Sequence, residues 1–285
     1  MSRHYLMCAP VHFDVTEKSN PWMRPDHVVD RERALSQWRT LVDVYTRLGH
    51  RVSLLDPVPG LPDMVFSANG AVVVGGRAFV ARFRSATRKP ESAAHKRWLE
   101  STGTYTVAMS EGIGEGEGDF LFTGRHVLAG TGFRTEHATH LEAQEFLGHP
   151  VISLRLVDEC FYHLDTALLP LDAGTIAYYP GAFSAGSRRL LERLYPDALL
   201  ATAEDARHFG LNAVSDGHHV VIPSGSTHFA DRLCDRGYEP IPVDLSEFRA
   251  SGGGPKCCTL ELRPECPATR TPPALETGTH STPSI

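Results

Sequence analysis

Apolar residues recur at helical spacing in five stretches of the chain. The longest runs from Asp26 to Leu48, with Val29, Leu35, Trp38, Leu41, Val42, Tyr45 and Leu48 along one face. The other four helices are predicted near Pro90–Ser101, Arg134–Leu147, Ser184–Tyr195 and Thr227–Arg236. Four of the five stop at a glycine (Gly49, Gly103, Gly148 and Gly237), as a left-handed residue closing a helix requires, and the fourth in order stops at Pro196. A short run of strand-forming residues follows each stop: Arg51–Leu55, Tyr105–Met109, Val151–Leu154, Ala198–Ala201 and Glu239–Val243. Further strands are predicted at Ala71–Val74, Ala78–Ala81, Val127–Gly130, Ala167–Leu171, Thr175–Tyr178 and His219–Pro223.

Successive helices therefore lie roughly 40–60 residues apart, a spacing that points to a repeat architecture. The expected fold is α/β, a closed ring of five small units about a central axis; an open doubly wound sheet is the alternative. No GxGxxG fingerprint follows the first strand to support dinucleotide binding. One domain is expected over residues 1–263. Residues 264–285 are rich in Pro and Thr and lack apolar periodicity, so they are expected to form a disordered tail.

Composition narrows the function. Of 285 residues, 41% are hydrophobic, enough for a sizeable core, and the net charge is 28 − 34 = −6 with no basic run. Nucleic acid and anionic membrane are thus poor partners, while a small cationic substrate is compatible. No stretch approaches the roughly 18 apolar residues of a membrane span. Met1–Phe13 carries His4 and His12 instead of an apolar signal core, so the expected compartment is the cytoplasm. Six cysteines in a chain of this length do not form the pattern of a disulfide framework, which leaves thiols for chemistry. Homo-oligomerisation is left open.

Four polar clusters recur at matching points of the repeat: Asp63–Asn69 (DMVFSAN), Glu115–Asp119 (EGEGD), His163–Asp165 (HLD) and Gly252–Cys258 (GGGPKCC). In a ring, such positions converge on the axis. Cys257 follows a glycine run that lets backbone approach a ligand, and a thiolate stabilised by a nearby cation is a nucleophile. His163 suits acid/base work near neutral pH. Asp165, two residues on, would face the same side on a strand and could pair with a planar cation. A zinc site built from Cys160, His163, Cys257, Cys258 and Cys266 is the competing arrangement, but it lacks a paired C-x-x-C hairpin. His137 with His140 reads as an exposed helix face, and His218-His219 as an ordinary strand pair.

The ordered series PDMVFSAN, EGEGD, HLDT and GGGPKC, reaching from Asn20-Pro-Trp-Met23 to Cys257-Cys-Thr-Leu260, resembles the guanidine-modifying superfamily. That group includes arginine deiminases, dimethylarginine dimethylaminohydrolases, glycine amidinotransferases and arginine dihydrolases. The resemblance implies a five-bladed α/β propeller and a hydrolase of the guanidinium of arginine or N-methylated arginine. It further implies Cys257 as nucleophile, with Cys258 as packing, and His163 as acid/base. Glu115, favoured over Glu117, would buttress the histidine, and Asp165 would hold the guanidinium. Asp63 and Asn20 match substrate contacts, and Arg88 and Arg134, with Arg84 as a rival, match carboxylate binders. Many deiminases have an aspartate where this chain has Asn69, and Asn20 with Asn69 resembles the arginine dihydrolase branch and proteins labelled dimethylargininases. The implied mechanism passes through an amidino–cysteine intermediate and needs neither metal nor organic cofactor. An amidinotransferase, and a non-catalytic binding protein on the same fold, are the competing functions.

Overall fold

A computed structural model describes residues 2–16, 18–24 and 27–265. In chain order its elements are β1 (His4–Cys8), α1 (Arg31–Arg47), β2 (Arg51–Leu55), β3 (Ala71–Val74), β4 (Arg77–Val80), α2 (Glu91–Ser101) and β5 (Thr106–Met109). There follow α3 (Gly116–Asp119), β6 (Phe120–Phe122), β7 (Val127–Thr131), α4 (Ala138–Leu147), β8 (Val151–Arg155), β9 (Leu168–Pro170), β10 (Ile176–Tyr178), α5 (Ala185–Leu194) and β11 (Leu199–Leu200). The chain continues with α6 (Ala203–Arg207), β12 (Val214–Ser215), β13 (His219–Pro223), α7 (Thr227–Cys234), β14 (Glu239–Val243), α8 (Ser246–Arg249) and β15 (Leu260–Glu261).

These strands form five three-stranded sheets of one design. A first strand pairs antiparallel with the second, and the second pairs parallel with a third reached through a helix: β3-β4-β5, β6-β7-β8, β9-β10-β11 and β12-β13-β14. The parallel step needs a crossover, which α2, α4, α5 and α7 supply. The fifth sheet takes its first strand from the far end of the sequence. There β15 pairs antiparallel with β1, Tyr5 opposite Glu261, and β1 pairs parallel with β2 beyond α1.

Most predicted elements are present within a residue or two. Gly49, Gly103, Gly148 and Gly237 all have positive φ, as the helix stops require. Two helices begin later than predicted. The Asp30 carboxylate accepts the Arg33 N–H at 2.9 Å, so α1 is capped there and starts at Arg31. At α4, Thr135 N–H is donated to Asp119 at 3.2 Å, which holds Arg134 and Thr135 in the preceding loop. His140 also differs from its expected exposure. It is buried, with Nδ1 against Ser153 Oγ at 2.7 Å and Nε2 against Gly130 O at 3.1 Å. The predicted tail lies, from residue 266 on, outside the described residues. Among the described residues, no helix is long and apolar enough to cross a membrane.

Candidate active site

Each sheet's first strand is preceded by a loop that delivers one polar side chain to a shared interior. Asn69 precedes β3, Glu115 precedes β6, Asp165 precedes β9, Asn212 precedes β12 and Cys257 precedes β15. All five are buried. Asn212 completes the set, and the sequence reading passed over it.

Glycines make the convergence fit. A Cβ on Gly118 would sit 2.4 Å from Asn69 Nδ2 and 3.0 Å from His163 Nδ1, so only glycine allows those groups to close over the EGEGD turn. A Cβ on Gly254 would likewise lie 2.8 Å from Asn212 Oδ1.

Around the sulfur, Cys257 Sγ lies 3.3 Å from Asp165 Oδ2, and Asn212 Nδ2 donates to Sγ at 3.1 Å. The same Nδ2 reaches Asp165 O at 3.2 Å, while Asn212 Oδ1 accepts the Cys257 N–H at 3.2 Å. Burial pushes the Cys257 thiol well above its ordinary range, and the Asp165 charge adds to this, so both favour the protonated form. Burial also raises Asp165 to about 6, against the opposing pull of His163 and Lys256. Cys258, fully buried, packs in the core behind.

Glu115 organises the other side. Its Oε2 meets His163 Nε2 at 2.8 Å and accepts from Arg134 Nη1 at 3.0 Å, while Oε1 accepts the Arg84 N–H at 3.0 Å. Burial opposes its charge, but the His163 hydrogen bond and the Arg134 guanidinium outweigh burial and hold the carboxyl below the usual carboxylate range. Of the two glutamates in this turn, Glu115 is the one that contacts His163. Glu117 points away, to Lys256, Arg263 and the Glu261 N–H.

The remaining expected residues line one narrow cavity with about 10 Å³ of free space, room for little more than a water molecule. Ser19, Asn20, Asp63, Asn69, Arg88, Arg134, Tyr162 and Cys257 all border it. Their side chains are unequally available. Asn20 is committed to backbone: Oδ1 accepts from Trp22 N and Met23 N, and Nδ2 donates to Ser251 O. Arg88 is clamped by both oxygens of Glu91 at 2.9 Å, donates to Asp63 O at 3.3 Å, and gives Nη1 to Asn69 Oδ1 at 2.9 Å. Arg134 lies over the Tyr162 ring at 4.8 Å and donates to Ser19 O at 2.8 Å. Arg84 turns outward towards Glu136 and does not border the cavity.

Among the described residues, the buried polar atoms here without a hydrogen-bond partner include Asn69 Nδ2, His163 Nδ1 and Asp165 Oδ1. An orphaned buried polar atom costs roughly 1–3 kcal/mol, so three together mark a place shaped for a polar ligand.

The chain resembles proteins of known chemistry. A family model described as N,N dimethylarginine dimethylhydrolase, eukaryotic, matches residues 10–264. An N(G),N(G)-dimethylarginine dimethylaminohydrolase of Mycobacterium tuberculosis is 49% identical over 263 residues, covering 92% of this chain and 87% of its own. The bifunctional arginine dihydrolase/ornithine cyclodeaminase AgrE of Nostoc is 39% identical over 264 residues, covering 90% of this chain but 37% of that longer protein. The crystal structure of the N-terminal domain of ArgZ (Synechocystis), carrying a covalently bound reaction intermediate, superposes with a TM-score of 0.88 at 36% identity, over 92% of this chain and 98% of that one.

Proposed function

Because the chain belongs to the N,N-dimethylarginine dimethylhydrolase family, we propose that it hydrolyses the guanidinium of arginine or an N-methylated arginine through a covalent adduct on Cys257, with its five sheets set as the blades of a closed propeller. The orphaned Asp165 oxygen anchors the planar cation. That cation brings positive charge close to the sulfur and lets the thiol ionise. The thiol proton passes to His163 Nδ1, whose ring is fixed by Glu115 through Nε2. Sulfur then attacks the central guanidinium carbon, a carbon–nitrogen bond breaks, and His163 returns the proton to the leaving amine. Water, deprotonated by His163, displaces the thiolate and leaves a ureido product. Asn20 serves by holding its loop over the site. A cytoplasmic setting, where thiols stay reduced, suits such a nucleophile.

One observation favours a second round of hydrolysis. Arg88 has only donors, so the oxygen of Asn69 must face it at 2.9 Å. Asn69 therefore turns its unpartnered N–H2 to the cavity. A donor there repels no ureido oxygen and hydrogen-bonds it, so the citrulline-type product is held for a second attack that releases ornithine. The likeness to the M. tuberculosis enzyme supports the single-step reading, with dimethylarginine giving citrulline. Mass analysis of products from arginine and asymmetric dimethylarginine decides: ornithine from arginine supports two steps, citrulline as sole end product refutes them. Asn69→Asp should convert an ornithine-forming enzyme to one that stops at citrulline or not turn over at all. Ammonia release without an added amine excludes the transferase.

A further inference from the structure

Away from the active site, the junction of β13 and β14 brings together His218, His219 and Glu239, and their ligand atoms all lie within 4.8 Å of one another. His218 Nε2 is 3.7 Å and His219 Nε2 3.9 Å from the same oxygen, Glu239 Oε2. These separations are too long for hydrogen bonds. They are close to the ~3.3–3.5 Å that separates neighbouring ligand atoms about a tetrahedral zinc ion with bonds of about 2.0–2.2 Å. For these two pairs, movements of a few tenths of an ångström suffice. The side chains of His218 and Glu239 are 64% and 63% exposed and are free to make them.

The third ligand is already oriented. His219 Nδ1 is 2.9 Å from Asp216 Oδ2, and the Asp216 side chain is itself fixed by the N–H groups of His218 and His219, both at 2.8 Å, and by His50 Nε2 at 3.3 Å. A carboxylate on one imidazole nitrogen places the proton there and leaves Nε2 with a free lone pair aimed at Glu239. This is the outer-sphere support seen behind metal-bound histidines. His219 and Glu239 are also register partners on adjacent parallel strands, so an ion there would fasten the outer strand of this sheet.

The geometry points to a structural binding site for a divalent transition ion, zinc by its ligand set, held by His218, His219 and Glu239 with solvent as the fourth ligand. Calorimetric titration of the whole protein with zinc tests it, and cobalt serves as a spectroscopic probe. Cys257→Ser is used throughout as the parallel background, so that binding to the buried thiol is recognised. We expect one zinc per chain in both backgrounds, a cobalt spectrum without thiolate charge transfer, and a zinc-dependent rise in melting temperature. His219→Ala and, separately, His218→Ala should abolish all three, and Asp216→Asn should weaken binding about 10–100-fold. Guanidine hydrolysis by the metal-free His218→Ala protein should match that of the metal-free parent. Absence of saturable binding, or binding untouched by His218→Ala and His219→Ala, or binding lost in Cys257→Ser, overturns the site.

Discussion

Asn212 Nδ2 lies 3.1 Å from Cys257 Sγ, and its Oδ1 accepts the Cys257 N–H at 3.2 Å, so one amide grips both ends of the proposed nucleophile. A hydrogen bond to a thiolate strengthens as charge develops, and bonds to charged groups contribute about 1.5–3 kcal/mol. Asn212→Ala should therefore lower kcat/KM by roughly 10–100-fold, because 1.4 kcal/mol is about tenfold. Alkylation of Cys257 in that variant should need a higher pH than in the parent. An unchanged alkylation profile would show that Asn212 only packs.

The adjacent thiols should separate cleanly. Cys257→Ser is expected to abolish turnover, whereas Cys258→Ala should retain most of it, since Cys258 is core packing. Steady-state kinetics with intact-mass detection of the adduct checks both. Adduct formation on the Cys257→Ser protein would sink the assignment.

Asp165 sets opposite demands on binding and stability. Its pKa is raised from 3.8 in the unfolded chain to about 6 in the fold, first by burial. Ionisation thus favours the unfolded chain, and this contribution to stability, full below pH 4, is lost as pH rises to about 6. At about 1.4 kcal/mol per pKa unit the loss is on the order of 3 kcal/mol. Asp165→Asn should then melt higher than the parent at pH 7, with the gain vanishing near pH 4, while activity is lost. Activity of the parent should rise through pH 6 as the carboxylate ionises to hold the cation. Denaturation and kinetics across pH 4–8 test both limbs.

Arg134 carries two duties. One nitrogen pairs with Glu115 at 3.0 Å, and the guanidinium borders the cavity. Arg134→Lys should therefore slow both arginine and agmatine, which lacks the α-carboxylate. The loss should be about tenfold or more greater for arginine if the second duty is carboxylate binding, as a bidentate fork suits that group. Equal losses would confine Arg134 to holding Glu115.

The repeat was legible because helices α1, α2, α4, α5 and α7 are amphipathic and the strands after them are β-rich. The strands that escaped were β1, β6, β12 and β15. β12 and β15 have two residues each and β6 three, too few for any period to register, and β1 is buried almost throughout with no alternation to mark it. Asn212 escaped for a related reason. It sits in an apolar stretch, FGLNAV, without the acidic or histidine neighbours that drew attention to the other loops. Its offset was the available signal: it stands two residues before β12, as Asn69 stands two before β3. His140 was misjudged because a histidine pair three residues apart reads as one face, whereas packing against Gly130 and Ser153 turns the second ring inward.

The high thiol pKa of Cys257 has a consequence for damage. Peroxides and electrophiles attack thiolates, and oxidation beyond the sulfenic acid is irreversible for most proteins. Buried at 2% exposure, with burial and Asp165 favouring its thiol form, the resting sulfur offers such reagents little target. In the proposed mechanism it becomes reactive when a cation arrives to stabilise it, and that same cation then covers it. The enzyme is in this sense armed by its own substrate, and it should outlast oxidative conditions that inactivate enzymes whose cysteines rest as thiolates.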